Sequence, residues 1–549
     1  MQFFRFDNLS NFVGIFIGIF SLLIIFYSSA FMRGRKGLWR YYSYLVLTLL
    51  SSLGAVFSNN LILFMVFWGF LGLLLYLLIG FGQKENTLYT AKKTFIIIGA
   101  ADALMILGLA FVGQLTGTLQ MDKISIALTS KPAVWAYLCF AAGAFAKAGA
   151  MPLHTWIPDT AEDAPTPVTA YLPASLDKLL GIYFLARISL DLFQMNSAMN
   201  TLLMAVGSFT IVAAVMMALI QHDLKRLLGY HAVSQVGYMV LGIGTGNPIG
   251  IAGGLFHMLN NAVYKSCLFL SGGAVEKKSG TTNLDNLGGF VKFMPITFVS
   301  FLIASLAISG VPPFNGFASK WLVYQGIIKT ASNGGYLWIV WLVAALFGSA
   351  LTLASFMKLV HTVFLGQTSS QVRDQKLLPL GKETSPAIWM PSAFLALLCI
   401  IFGVFAYRMP LGAFIVPSIG QSVEFLGIWN VNLATALLLA GIIIGIAIYL
   451  AGRVTEARET EVFVGGELTD EHPDMRVSGV SFYNTIQEIG FLRGLYKKAL
   501  RRAFDPYEIG RTITFGFTRI LRYIHNGVLS TYLAWCLLGM IVLFYVLLR

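Results

Sequence analysis

Residues 147–173 read KAGAMPLHTWIPDTAEDAPTPVTAYLP, five prolines (Pro152, Pro158, Pro165, Pro167 and Pro173) set in an otherwise hydrophobic run with Lys147 at its head. Each proline removes a backbone donor and resists continuation of a helix. A second, shorter interruption is Ile308-Ser-Gly-Val-Pro-Pro-Phe-Asn-Gly316. Broken backbone at membrane depth survives only where protein or a water-filled cavity satisfies the freed groups, so two such breaks mark candidate pathways. Each carries one lysine, Lys147 before the first and Lys320 after the second. Opposite order around the break is what two repeats of inverted topology produce.

The surroundings are those of a membrane protein. Of 549 residues 57% are hydrophobic and 11% charged, too apolar for a soluble domain. Apolar runs of about 20 residues recur from 11–32 to 528–548 and predict an all-α polytopic bundle of about 14 spans. The run 11–32 is too long for a signal-peptide core and reads as a retained first helix. Net charge is +13, and in so apolar a chain this reads as positive-inside loops; no nucleic acid partner is expected. The basic run Arg33, Arg35, Lys36, Arg40 predicts a cytoplasmic loop, hence an N-terminus on the outer side of a cell (inner) membrane. Cys139, Cys267, Cys399 and Cys536 stand singly, without CxxC or Cys/His spacing, so no metal or other cofactor is expected on this chain.

Charges within spans cost about 2.5 to 3.5 kcal/mol each on insertion scales and ask for a partner or a task. Lys147 lies among small residues and cannot easily snorkel. Asp102 is the only acid of the 93–113 span; it either pairs statically with Lys147 or takes part in moving its proton. Asp177 and Lys178 are about 100° apart on a helix. They either join two stretches of a polar chain or cap a broken helix. His257, Asn261 and Lys265 recur every fourth residue and line one stripe, suited to a file of water. His222, Asp223, Lys225, Arg226 and His231 read as a solvated loop at a span boundary, and Lys358 and His361 as snorkelling side chains. No nucleophile-and-base constellation or phosphate-cradling loop is present. Transport is the economical reading.

Several motifs carry a resemblance: Lys147-Ala-Gly-Ala-Met-Pro-Leu-His-Thr-Trp-Ile-Pro-Asp159 with Ala-Pro-Thr-Pro-Val-Thr-Ala170, Asp223-Leu-Lys-Arg-Leu-Leu-Gly-Tyr with Ser234-Gln-Val-Gly-Tyr-Met, and Pro312-Pro-Phe-Asn-Gly-Phe-Ala-Ser-Lys320. Together, over roughly residues 5–365, they resemble the antiporter-like, proton-conducting subunits of complex I, multisubunit cation/proton antiporters and membrane-bound nickel-iron hydrogenases. The C-terminal amphipathic stretch and last span look like those of the distal, lateral-helix-bearing subunit. The resemblance implies that Lys147 is the central lysine of the first break, Lys320 the ionisable residue of the second, and His257 and Lys265 the middle relay, with Asn261 where histidine is common. It implies conduction of protons or Na⁺. Expected partners are other membrane-arm subunits, the lipid bilayer and a soluble redox arm with iron-sulfur and, in the hydrogenase branch, nickel-iron centres.

Three departures stand out. Gly69 follows Trp68 where the family commonly has glutamate, so Asp102 or Asp177 would have to substitute. The chain begins at what looks like the family's third helix. Pro173-Ala-Ser-Leu-Asp-Lys-Leu-Leu-Gly181 looks like the hydrogenase-associated branch. With the family as guide the chain divides into N-terminal helices (1–92), a conducting core (93–365), further membrane helices (366–451), a polar loop and amphipathic lateral helix (452–527) and an anchor (528–549). The alternatives are a non-conducting scaffold that braces the membrane arm, or a subunit of a cation/proton antiporter or inorganic-carbon uptake complex.

Overall fold

Several of the described helices start at a residue whose side chain caps them. Asp7, Asn60, Ser130, Asn196, Asp223 and Asn247 each accept a hydrogen bond from the first turn of the helix that follows, which satisfies donors that lipid could not. The computed structural model describes residues 3–366, 383–425, 431–451 and 479–548. It is a helical membrane bundle: α1 (Asn8–Phe31), α2 (Leu38–Phe57), α3 (Leu61–Ile79), α4 (Thr87–Thr116), α5 (Lys131–Ala148), α6 (Trp156–Asp163), α7 (Thr166–Tyr171), α8 (Asp177–Arg187), α9 (Ser197–Leu219), α10 (Leu224–Gly244), α11 (Pro248–Ser279), α12 (Pro295–Ser309), α13 (Asn315–Lys329), α14 (Leu337–Val360), α15 (Pro386–Val404) and α16 (Val431–Ala451). Ile126–Ala127 and Phe193–Gln194 form a two-residue parallel pairing, Ile126 opposite Phe193. Among the described residues, seven helices are long and apolar enough to cross a membrane by length and composition alone. The polar and charged helices α10 and α11 lie among them, almost wholly buried.

Both breaks are built alike. α5 ends at Gly149 (φ +84°) and α12 at Gly310 (φ +81°), left-handed conformations that glycine adopts without a Cβ penalty. Ala150 N then donates to Phe145 O at 2.9 Å, and Val311 N to Leu306 O at 3.0 Å, the same six-to-one closure. Asn247 Nδ2 donates to Gly326 O at 2.8 Å, which sets the end of α13 beside the start of α11. Lys225 Nζ donates to Ala164 O at 3.0 Å, and Thr166 to Glu276 at 2.5 Å, which sets the end of α6 beside the end of α11. The two broken helices therefore run in opposite senses.

The five-proline stretch resolves into three features. The break itself is 149–155; Pro167 stands at the start of α7; and Pro173 lies in a π-helical turn, Leu172–Leu176, that joins α7 to α8. That turn loosens carbonyls, which polar side chains cover: Ser175 Oγ binds Ala170 O (2.9 Å) and Tyr171 O (2.6 Å), and Asn261 Nδ2 reaches Ala174 O (3.5 Å).

Residues 1–488 form one compact unit and 489–549 another. In the second, α17 (Gly490–Leu500), α18 (Pro506–Ile524) and the apolar α19 (Leu529–Leu547) follow in order. The expected amphipathic stretch is thus segmented, with Arg502 at φ +59° ending one helix and Asp505 capping the next. α18 sets Ile509, Ile513, Phe517, Ile520 and Ile524 along one stripe and Arg511, Arg519 and Arg522 along another. Of the expected polar loop, residues 452–478 lie outside the described residues.

Candidate functional site

Lys147 occupies the last turn of α5, fully buried. Its Nζ has no hydrogen-bond partner among the described residues. It stands 5.1 Å from the ring centroid of Trp68 on α3, and the same indole donates its N–H to Asp102 Oδ1 at 2.9 Å. Trp68 thus sits between the amine and the carboxylate. Asp102 and Asp177 are both within electrostatic range of Lys147. Both carboxylate oxygens of Asp177 are buried without a partner among the described residues. A buried charge so placed needs water or a nearby opposite charge.

The other buried lysines are held differently. Lys178 donates to Ala148 O at the end of α5, and Lys320 to Ile308 O (2.9 Å) at the end of α12. The last carbonyls of a helix carry partial negative charge and lack intrahelical partners, so each broken end stabilises an ammonium. Trp156 Nε1 covers a third freed carbonyl, Ala146 O, at 2.9 Å. Lys265 donates to Leu228 O (2.9 Å) and is within range of Lys178. His257 meets Ser319 Oγ at 2.9 Å through Nδ1, and Gln235 Oε1 (3.1 Å) and Tyr264 OH (3.2 Å) through Nε2. Lys320 lies within range of His257 and 4.8 Å from the ring centroid of Tyr238. Asn261 is fully buried and its Oδ1 has no partner among the described residues. Of the eight sequence-predicted residues, Lys147, Asp177, Lys178, His257, Asn261, Lys265 and Lys320 are buried, and Asp102, half-buried on α4, adjoins Lys147 through Trp68.

A family model described as NADH:quinone oxidoreductase/Mrp antiporter, TM, matches residues 58–352. The chain belongs to this family. It is 31% identical over 419 residues to Na(+)/H(+) antiporter subunit A1 of Staphylococcus saprophyticus, covering 72% of this chain and 51% of that protein. It is 31% identical over 505 residues to NAD(P)H-quinone oxidoreductase chain 5 of Picosynechococcus sp., covering 83% of this chain and 74% of that one. The chain spans about half the length of the antiporter relatives it matches. Two solved structures share its fold. One is a chain of the membrane-bound sulfane sulfur reductase, an archaeal respiratory membrane complex, with TM-score 0.77, 23% identity, 99% of this chain and 89% of that one. The other is a chain of the Mrp complex from Dietzia sp., with TM-score 0.70, 22% identity, 76% of this chain and 84% of that one.

Gly69, where the resemblance led to the expectation of a glutamate, is exposed, and an added Cβ would meet no atom within 4 Å. One turn on, an added Cβ at Gly72 would stand 3.8 Å from Asp102 Oδ2. The acid nearest this face of α3 thus comes from α4 in this member of the NADH:quinone oxidoreductase/Mrp antiporter family.

The sequence reading of two boundary groups is corrected. His231 and Lys225 are buried, not solvated, because α10 starts deep among α6, α7 and the end of α11. Lys358 is 1% exposed; its amine donates to Leu219 O (2.8 Å) and Gln221 O (3.2 Å) at the end of α9 instead of snorkelling. A further network went unread: Lys93 pairs with buried Asp159 at 2.8 Å, Arg226 with Asp159 (3.3 Å) and Glu162 (2.7 Å), and Thr90 with Asp163 (2.6 Å). The acids Asp159, Glu162 and Asp163 of α6 were visible in the sequence, but their basic partners on α4 and α10 are brought to them only by packing.

Proposed function

We propose that the chain is a proton-translocating membrane subunit of a complex I-like, redox-driven assembly, of the hydrogenase-associated kind. The observation that supports it best is the unbroken succession of ionisable groups, each within electrostatic range of the next: half-buried Asp102, then the buried Lys147, Asp177, Lys178, Lys265 and, through His231, Lys320 and His257. Lys178, Lys265 and Lys320 have fixed backbone acceptors, whereas Lys147 has only carboxylates and an aromatic face. Lys147 is then the switch. Two unit charges drawn from about 4 to about 8 Å apart lose about 2 kcal/mol at an effective dielectric of about 20, a factor of about 30 in proton affinity. Small movements of Asp102 or Asp177 therefore suffice to load or release its proton. Loading Lys178 repels the proton on Lys265, and the change passes sideways toward Lys320. The orphaned oxygens of Asp177 and Asn261 are sites where water would complete the file.

The energy comes from partners: other membrane-arm subunits and a soluble redox arm with iron-sulfur and, in the hydrogenase branch, nickel-iron centres. The amphipathic α18 lies at the membrane interface and braces neighbouring subunits. The basic residues 33–40 face the cytoplasm and the N-terminus the outer side. The test is pumping by the assembled complex during redox turnover: K147A and K320A abolish it with assembly intact, and unchanged pumping in both rejects the reading.

A second reading has one observation in its favour. The likeness to Na(+)/H(+) antiporter subunit A1 fits a subunit of a cation/proton antiporter. Flux that requires Na⁺ on the opposite side, without a redox substrate, selects that reading.

A further inference from the structure

Two buried basic groups, His231, which stands between Lys265 and Lys320 in that succession, and Lys358, lead away from it toward the end of the bundle. His231, on α10, is fully buried; its Nε2 is 2.7 Å from Ser355 Oγ of α14, its ring packs at 4.7 Å on Phe356, and its Nδ1 has no partner among the described residues. Lys358 follows Ser355 by three residues, so the two share a face of α14. Ser349, a turn and a half earlier on α14, meets Tyr324 OH (2.7 Å) and Tyr238 OH (2.9 Å), the latter ring lying against Lys320.

The succession reaches the surface. Gln221, whose carbonyl accepts from Lys358, is followed by His222, and His222 Nδ1 is 3.1 Å from Asp285 Oδ2; these two side chains are 55% and 45% exposed. His231 is within electrostatic range of Lys265, Lys320 and Lys358, and Lys358 of Asp285. Groups that can hold or hand on a proton thus stand between the central lysines and the bundle end, His231 and Ser355 in direct contact at 2.7 Å and Lys358 within electrostatic range of Asp285.

We propose that His231, Ser355 and Lys358 form a branch by which protons pass between the central lysines and the end of the bundle marked by His222 and Asp285. The inference rests on the conducting reading above. In each step His231 accepts a proton at one ring nitrogen and releases one from the other, so the imidazole returns to its starting charge with its tautomer exchanged. Ser355 accepts and donates through one hydroxyl. Lys358 receives and releases a proton at Nζ while the α9 carbonyls keep its amine in place. A glutamine or asparagine at 231 would satisfy Ser355 equally well; only an imidazole adds a second nitrogen for relay.

The test is passive proton flux through the purified complex in liposomes, driven by a potassium diffusion potential and read with a trapped pH-sensitive dye. H231Q keeps a partner for Ser355 but cannot relay, and K358R keeps the cap on α9 but cannot give up its proton. Each is expected to slow flux at least about tenfold at wild-type assembly. S355A, which deletes one hydroxyl, stands in for any variant that fails to assemble and slows flux at least about threefold. Wild-type flux in any assembled variant of this set overturns the branch. K320M separates the two readings: flux lost in K320M but kept in the branch variants removes the branch alone, whereas flux kept in K320M removes the conducting reading and the branch with it.

Discussion

Trp68 holds Lys147 and Asp102 at once: its ring face lies 5.1 Å from the amine and its N–H donates to the carboxylate at 2.9 Å. The two contacts are separable. A desolvated cation–π contact contributes about 2 kcal/mol and a hydrogen bond to a carboxylate about 1.5 kcal/mol or more. W68F keeps an aromatic face and loses only the donor, so proton flux falls about tenfold or more. W68L loses both and falls about 300-fold or more. Equal flux in W68L and wild type would show that the indole merely fills space.

Asp102 lies beside Gly72, and Gly69 is one turn earlier on that face of α3 with open space around it. A glutamate at 69 therefore has room and reaches the same neighbourhood. Flux is expected to fall at least about tenfold in D102N and to recover in large part in D102N/G69E. Failure of the double variant to exceed D102N would mean that the acid must come from α4.

How far the sequence foretells this arrangement differs residue by residue. Lys147 and Lys320 are legible because Gly149, Pro152, Gly310 and Pro312 punctuate their helices locally, and the stripe His257, Asn261, Lys265 is legible from helical spacing alone. His231 and Lys358 are not. Their burial is set by where α10 and α14 end relative to α9, and a hydropathy reading of a boundary sees only a basic cluster. The partners of His257, Gln235 and Ser319, lie 22 and 62 residues away and are joined to it by packing. The fold class follows from composition and apolar runs, whereas the π turn at Pro173 depends on side chains of α11 that cover its carbonyls.

At the opposite end of the bundle, Asp7 caps α1 and binds Arg187 at 2.7 Å, with Asp191 sharing the guanidinium. Burial alone raises the Asp7 carboxyl, but the Arg187 hydrogen bond and charge, the Ser10 N–H and Arg5 outweigh it and hold it at about 2. A depressed folded value means stability that is present above the ordinary aspartate range and lost as pH falls from about 4 through about 2. Discounted for the partial exposure of the pair, the contribution is about 1 kcal/mol. Thermal unfolding in detergent is expected to lose that increment between pH 4 and 2 in the wild type, and D7N to lack it already at pH 7. Identical profiles for the two proteins would remove the ion pair from the account.

Residues 489–549 form a compact unit of their own. Ending the chain at Glu488 is expected to leave the first unit folded, with near-native melting in detergent, while partner subunits no longer co-purify. Retention of the full complex would assign α18 to the lipid surface alone.

Lys265 stands midway between the breaks, within electrostatic range of Lys178 on one side and of His231 on the other. K265M severs the succession there and leaves both broken helices untouched. Proton flux through the purified, reconstituted complex carrying K265M is therefore the most direct measurement. The account predicts a loss of at least about a hundredfold at unchanged assembly; wild-type flux would contradict conduction along the buried lysines.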